Sequence, residues 1–216
     1  MLPDSTALDT GAAPDGRLCA PSAERNIDPI LEVLADVAPQ RGRALEIASG
    51  TGQQIVRFAA ARSQLEWQPS DAASERLESI RAWIRFAGLS NVRAPILLDA
   101  AGEWPAGLLP CDLVIAVNLL HLVTQEAVRA ILANMAEALA PGGVFCLYGP
   151  FLRGGVFAGE GDRVFHAALK EQDPRIGYKD ADRVEAALVC AGLEDIIRHE
   201  MPAANLMITA RKPSVA

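Results

Sequence analysis

Residues 44–59 read Ala44-Leu45-Glu46-Ile47-Ala48-Ser49-Gly50-Thr51-Gly52-Gln53-Gln54-Ile55-Val56-Arg57-Phe58-Ala59. An apolar, strand-like run ends in a turn of small residues, and a helical pattern opens after it. Glycines let the backbone approach a ligand where a Cβ would clash. The start of the helix offers unpaired N–H groups and a partial positive charge. The spacing carries more than the glycines. Glu46-x-Ala48-x-Gly50-x-Gly52 has an acid before the turn and no glycine after it. The dinucleotide fingerprint G-x-G-x-x-G would need a third glycine at position 55, which is Ile55. The phosphate loop G-x-x-x-x-G-K-[ST] is absent, and no lysine lies near. The loop therefore suits a nucleoside better than a pyrophosphate. The competing reading is an ordinary tight strand–helix turn.

Outward from this loop, strands and helices alternate. The first strand is about 43–49 and its helix about 52–62. The next strand is Leu65–Ser70, stopping at Asp71. Ser74 caps a helix that Gly88 ends. Val92–Leu98 is a strand demoted to a sheet edge by Pro95. Asp112–Leu119 is a near-continuous apolar run, as buried parallel strands are. Thr124 caps a helix that Pro141-Gly142-Gly143 breaks, and Val144–Tyr148 follows as a strand. Helices are expected over 162–171 and over Ala181–Ala191, the latter capped by Asp180 and closed by Gly192. Ile196–Met201 and Leu206–Arg211 are the last strands. Upstream, Asp28-Pro29 reads as an N-cap followed by proline at the first helical position, with Ile30, Leu31, Leu34, Val37 and Ala38 on one face. Alternation implies a parallel sheet with helices on both faces. The last two strands must be antiparallel, because so short a turn cannot make a crossover. Residues 1–21, rich in Ala, Asp, Gly and Pro, read as a mobile arm before a single domain over 22–216.

Composition narrows the function classes. The chain has 216 residues, half of them apolar, enough for one α/β domain. Its net charge is −7, with 17 Arg and 3 Lys and no basic cluster. A face able to neutralise many phosphates is therefore not expected, which argues against nucleic acid. Cys19, Cys111, Cys146 and Cys190 are far apart, as are His121, His166 and His199. No C-x-x-C or H-x-x-x-H spacing exists, so no metal site is expected. Residues 1–20 lack a basic and an apolar signal region. No apolar run approaches the roughly 18 residues of a membrane span. The expectation is a reduced, cytoplasmic protein that does not meet a membrane.

In an open parallel sheet the ligand lies beyond the carboxyl ends of the strands. Ser49, Gly50, Thr51, Gly52 and Gln53 follow the first strand. Asp71, followed by Ala72, ends the second; an acid about 20 residues after the loop can accept from ribose hydroxyls, or it can merely cap a helix. Asp99-Ala100 follows the third: a carboxylate accepts from an adenine amino group and the next N–H donates to a ring nitrogen, or the aspartate turns the chain. Asn118 and His121 follow the fourth, and Tyr148, Gly149, Pro150 and Arg153 the fifth. Trp67 and Trp104 read as packing residues.

The joint order of these features resembles the class I S-adenosylmethionine (SAM) methyltransferase superfamily over residues 24–212, with Ala48 in place of the usual first glycine. Glycine loop, Asp71, Asp99, Asn118-Leu119-Leu120-His121, Pro141-Gly142-Gly143 and a terminal hairpin all fall in sequence. The resemblance implies a Rossmann-like, doubly wound seven-stranded sheet of order 3-2-1-4-5-7-6. A closer resemblance rests on Ser22-Ala23-Glu24-Arg25-Asn26, Glu46–Gln53, Trp67-Gln68-Pro69-Ser70-Asp71, Leu147-Tyr148-Gly149-Pro150-Phe151, Asp173-Pro174-Arg175 and Met201-Pro202-Ala203-Ala204-Asn205-Leu206. These segments are similar to a poorly characterised bacterial family related to animal methyltransferase-like protein 26. That family implies a SAM-binding fold and fixes no substrate.

The resemblance implies that SAM is used and S-adenosylhomocysteine (SAH) released. The loop from Ala48 to Gln53 would cradle the cofactor. Glu46 would meet the methionine amino group, Asp71 the ribose and Asp99 with Ala100 the adenine. Arg25 and Asn26 on a lid helix would close over the methionine end, and Asn118 would border the cofactor. His121 is the candidate general base, since its ordinary pKa is near neutral; the alternative is a packing histidine. Tyr148 could orient the acceptor or touch the sulfonium, and Arg153 could pair with an anionic acceptor. Gly154–Asp162 should border the acceptor pocket. The expected activity is methyl transfer to a small molecule. Two other readings stay open: a SAM-binding regulator or cyclase without methyl transfer, and an NAD-dependent oxidoreductase, which Ile55 disfavours.

Overall fold

A computed structural model describes residues 13–108 and 110–214. Its strands are β1 (Gly42–Ile47), β2 (Leu65–Asp71), β3 (Ile96–Leu97), β4 (Cys111–Val117), β5 (Leu139–Gly149), β6 (Phe151–Leu152), β7 (Lys179–Asp180), β8 (Glu194–Glu200) and β9 (Leu206–Arg211). Its α-helices are α1 (Pro21–Val37), α2 (Gln53–Ala61), α3 (Ser74–Ala87), α4 (Gln125–Ala138), α5 (Glu160–Gln172) and α6 (Ala181–Cys190). Seven strands form one sheet in the order β3-β2-β1-β4-β5-β9-β8, and β6 pairs with β7 separately. The first five strands of that sheet are parallel, while β9 runs against both β5 and β8. This is the expected order, with the last pair antiparallel.

Strand alternation splits the core in two. Leu113, Ile115 and Val117 of β4 pack with Ile30 and Leu34 of α1, Phe58 of α2 and Ile80 of α3. Val114 and Ala116 face Val128, Ile131 and Met135 of α4 and Val184 and Leu188 of α6. The sheet is thus covered on both faces, and the carboxyl ends of β1 to β5 open at one edge.

Several boundaries differ from the sequence reading, each for a physical reason. α1 starts at Pro21, and Pro29 lies inside it. Proline is tolerated at a first turn and inside a packed helix by different means. Here burial of Ala23 and Ile27 upstream outweighs the one backbone bond Pro29 cannot donate. Ser74 begins α3 as its first residue rather than its cap. The third strand shrinks to two residues: a bridge joins Val92 to Trp67, and Pro95 interrupts the ladder before Ile96. β5 begins at Leu139, so Pro141-Gly142-Gly143 lies within it; pairing passes from Cys111 with Leu139 to Leu113 with Val144 across an irregularity. β6 and β7 were not expected in so glycine-rich a stretch.

The arm read over 1–21 divides. Residues 1–12 lie outside the described residues. Residues 17–20 are docked rather than free: Leu18 N donates to Ser79 Oγ (2.8 Å), Trp83 Nε1 donates to Leu18 O (2.9 Å), and Arg17 lies 3.5 Å over the Phe86 ring centroid. No helix among the described residues is long and apolar enough to cross a membrane.

Candidate active site

The loop between β1 and α2 is a run of left-handed turns. Ala48 has φ 55°, Gly50 φ 57° and Gly52 φ 90°. A Cβ at Gly52 would sit 2.8 Å from Ile80 Cα, so glycine is required there by both conformation and the approach of α3. Ala48 adopts a conformation that costs a side-chain-bearing residue about 1–2 kcal/mol. Such strain is kept where the surroundings over-determine it. Here they do: Ser49 N donates to Ser70 O (2.8 Å), Ser70 N donates to Ser49 Oγ (3.2 Å) and Ser70 Oγ donates to Glu46 O (2.8 Å).

Two carboxylates flank this loop. Asp71 Oδ2 accepts from Gly50 N (2.8 Å) and its Oδ1 from Ala73 N (3.0 Å). The aspartate therefore ties the loop to the turn that leads into α3. A carboxylate has about four acceptor positions, so capacity for further donors remains. Burial raises the Asp71 carboxyl, against the bonds from Ala73 and Gly50 and the charge of Arg76. Glu46 is 1% exposed, and its Oε2 has no hydrogen-bond partner. Burial pushes its carboxyl up to about 7; the nearby charge of Asp71 adds to this, and a bond with Ser49 opposes it. A buried carboxylate oxygen without a partner is costly to keep, so it marks a place where a donor is to arrive.

Gln53 is a hub on the other side of the loop. Its Oε1 accepts from Ala20 N (2.6 Å) and Thr51 Oγ1 (3.1 Å), and its Nε2 donates to Glu24 Oε2 (3.4 Å). Ser79 Oγ donates to Thr51 O (2.6 Å) while accepting from Leu18 N. Loop, α1, α3 and the segment before α1 are thus one network. Ser79 was not foreseen, since its two partners lie far from it in sequence.

The other expected residues spread along the sheet edge. Asp99 is exposed and turns its own loop, accepting from Ala101 N (3.0 Å). Ala100 is buried, its carbonyl taken by Trp104 Nε1 (3.2 Å) and Asn134 Nδ2 (3.1 Å). Ala72 is exposed beside Asp71. Asn118, at φ 56°, donates its N–H to Tyr148 O (2.8 Å). Tyr148 is the penultimate residue of β5; its hydroxyl accepts from Asn205 Nδ2 (3.0 Å), and the charge of Arg25 reaches it from α1. Asn26 is half-buried on the same helix.

His121 sits in the turn after β4, 6% exposed. Its ring packs edge-on against Phe165 and Tyr178, with centroids 5.8 and 6.3 Å away. Burial, then the charge of Lys179, pulls the imidazole down to about 3. It is neutral and a weak base at neutral pH. Lys179 is itself buried, donating to Val123 O (2.8 Å) and Gly177 O (2.6 Å). Arg153 is largely committed within the protein: its terminal guanidinium nitrogens grip Glu200 through two bonds of 3.0 and 2.7 Å and donate to Ala204 O (3.3 Å), while its buried Nε has no partner. Lys179 and Asn205 escaped the sequence reading. Lys179 is one of only three lysines, and Asn205 lies in a quoted turn segment; those were the available signals.

Among the described residues no group of three or more His, Cys, Asp or Glu side chains is placed to hold a metal ion. What the strand ends offer is an unpartnered carboxylate oxygen, an aspartate with spare acceptor capacity and a tight backbone loop between them.

Solved structures share this architecture. An O-methyltransferase family protein from Burkholderia thailandensis matches with a TM-score of 0.77 at 13% identity, over 90% of this chain and 59% of that one. Human N-acetylserotonin methyltransferase, solved in complex with SAM, matches with a TM-score of 0.70 at 16% identity, over 88% of this chain and 52% of that one. This chain therefore spans little more than half the length of those two proteins. The YcgJ protein from Bacillus subtilis matches with a TM-score of 0.67 at 14% identity, over 89% of this chain and 100% of that one. At these identities the likeness is one of fold, the α/β methyltransferase fold. The sequence profile of the family described as "Protein of unknown function (DUF938)" matches residues 17–212, and the chain belongs to that family.

Proposed function

We propose that this chain is a SAM-dependent methyltransferase of a small-molecule acceptor, with its catalytic domain over 22–216. The observation that carries the reading is the buried Glu46 carboxylate, whose Oε2 has no partner, beside a strained loop tied to Asp71. When bound, SAM supplies an electrophilic methyl group on a positively charged sulfur. Glu46 accepts from its ammonium group and Asp71 from its ribose hydroxyls. The Gly50–Gly52 backbone lies against the nucleoside, and Asp99 and Ala100 border the adenine end. Arg25 and Asn26 close the methionine end from α1, and Gln53 anchors that helix to the loop. Asn118 borders the cofactor, and Tyr148 bounds the acceptor side.

Positioning in line with the methyl donor supplies much of the rate of such a transfer. A base helps only where the acceptor must lose a proton. We assign His121 to packing, because it is neutral and weakly basic between Phe165 and Tyr178. An acceptor ionised at neutral pH, or an amine or thiolate, needs no such base. The net charge of −7 argues for a small-molecule partner and against nucleic acid. The segments that resemble the family related to methyltransferase-like protein 26 support the same cofactor.

A second reading, SAM binding without methyl transfer, draws on the paired state of Arg153 and the neutrality of His121. Release of SAH from SAM, measured across phenols, carboxylic acids, amines and thiols, separates the two. An NAD-dependent oxidoreductase is disfavoured: Ile55 occupies the third glycine position and is fully buried in the core.

A further inference from the structure

The turn between β8 and β9 is built in an unusual way. Ala203 has φ 56° and ψ 35°, and Ala204 has φ 60°. Two consecutive alanines in the left-handed region are unfavourable, because each Cβ crowds the following carbonyl. Strain of this kind persists only where other contacts over-determine it, and it clusters at functional sites. Arg153, itself clamped on Glu200, holds the turn by donating to Ala204 O at 3.3 Å. Asn205 N donates to Pro202 O (3.4 Å), and Met201 N donates to Asn205 O (3.1 Å). These contacts fix the backbone of the turn that carries Asn205. Asn205 Nδ2 donates to Tyr148 OH at 3.0 Å and to Pro202 O at 3.2 Å.

The direction of the bond to Tyr148 matters. A phenol oxygen that accepts from an amide keeps its own proton to give. Tyr148 is 1% exposed, and burial raises its pKa against the bond from Asn205 and the charge of Arg25. It is therefore a neutral donor, not a base, at physiological pH. Its neighbourhood is otherwise apolar, with Ile30, Val117, Met201 and Met207 in the same cluster. Arg25 is the charged group that acts on it, from the part of α1 whose Arg25 carbonyl Pro29 cannot bond. A donor proton beside a cation selects an anionic oxygen.

We propose that Asn205 is a positioning residue of this cleft, holding the Tyr148 phenol as a hydrogen-bond donor to an anionic oxygen that enters beside Arg25. This rests on the cofactor reading above. The oxygen belongs either to the carboxylate of the cofactor's amino-acid end or to an acidic acceptor.

The test uses Asn205→Ala, Tyr148→Phe and the double variant, each checked for an unchanged melting profile. The probes are SAH and 5′-methylthioadenosine, which keeps the nucleoside and lacks the carboxylate. The chain has two tyrosines, so ultraviolet titration in a Tyr178→Phe background reads Tyr148 alone. Wild-type difference spectra serve if that background is unstable. Asn205→Ala should displace the phenol titration to higher pH. Each single variant should weaken SAH about tenfold or more, leave methylthioadenosine unchanged, and add nothing when combined. A displaced titration with lower SAH release on carboxylic acid acceptors and unchanged SAH affinity assigns the oxygen to the acceptor; a displaced titration with both unchanged marks a structural bond only and overturns the proposal. An unmoved titration, or additive losses in the double variant, overturns it. If wild-type protein binds neither nucleoside, the cofactor reading fails, while the titration still judges Asn205.

Discussion

The two halves of the strand-end cleft are built differently. Beyond β1 and β2 the polar groups are held in place and partly unspent. Glu46 has a carboxylate oxygen with no partner, Asp71 uses two of its acceptor positions, and the loop between them stores left-handed strain at Ala48. Beyond β4 and β5 the polar groups are largely spent on the protein itself. Arg153 grips Glu200, Lys179 grips two carbonyls, and His121 packs between aromatic rings. The first half is prepared for one ligand. The second is a wall whose chemistry lies in shape and in the single donor of Tyr148. Under the proposed function the difference teaches that the cofactor half is prearranged in polar groups, while the acceptor half is made of packing.

The largest effect should come from Asp71→Ala. It removes the proposed ribose acceptor and also strands Gly50 N and Ala73 N. SAM affinity should fall about 10- to 100-fold, and stability should drop by about 1–3 kcal/mol for each N–H left without a partner. Calorimetry and thermal denaturation read the two separately. Unchanged affinity with lowered stability would reduce Asp71 to a structural tie of the loop and dissolve the contrast.

Glu46→Gln should also weaken SAM about 10- to 100-fold, but with the opposite effect on stability. The Glu46 carboxyl sits at about 7 in the fold, above its ordinary 4.5. Between those values the native state binds more protons than the unfolded one, so the ligand-free protein loses stability as pH rises through that window. The glutamine variant should be flatter in pH and more stable above pH 7. SAM affinity of the wild type should strengthen as pH rises through about 7, because an ammonium group prefers the ionised carboxylate. An affinity independent of pH between 6 and 8 would sever Glu46 from the ligand.

His121→Ala is the matching probe of the other half. If the histidine packs, the change should cost about 1–3 kcal/mol of stability and leave SAH affinity and turnover per folded molecule intact. A loss of turnover of about 10²- to 10⁴-fold in folded protein would restore it as a base.

The contrast also explains what was legible in the sequence. The cofactor half is local: strand, small-residue turn and helix fall in one short run, and Asp71 follows at a spacing set by one βα unit. Alternation implied a parallel sheet, because a parallel strand cannot return without a crossover; the strand order came from the resemblance to the methyltransferase superfamily. The acceptor half is assembled from distant segments. Asn205 meets Tyr148 only because β9 lies beside β5, and the Lys179 segment reaches the His121 turn only through the bonds of Lys179 Nζ to Val123 O and of Gly177 N to His121 O. No local pattern announces such pairings. The same holds for residues 17–20, whose partners Ser79, Trp83 and Phe86 lie on α3. Pro29 misled for a related reason: a proline at a helix start and one inside a well-buried helix look alike until the upstream packing of Ile27 is known.

The smallest effect should come from Ala48→Gly. Relief of the left-handed alanine should stabilise the fold by about 0.5–1 kcal/mol, roughly 1–4 °C in a chain of this size. A lower melting temperature would mean that the Ala48 side chain packs more than it strains.

The most direct measurement is a calorimetric titration of SAH and, separately, of NAD into folded wild-type protein at pH 8, with Glu46→Gln alongside. The account predicts saturable SAH binding, no NAD binding, and at least about a tenfold loss in the variant. Absence of SAH binding up to high micromolar concentration, with circular dichroism showing the protein folded, would contradict it.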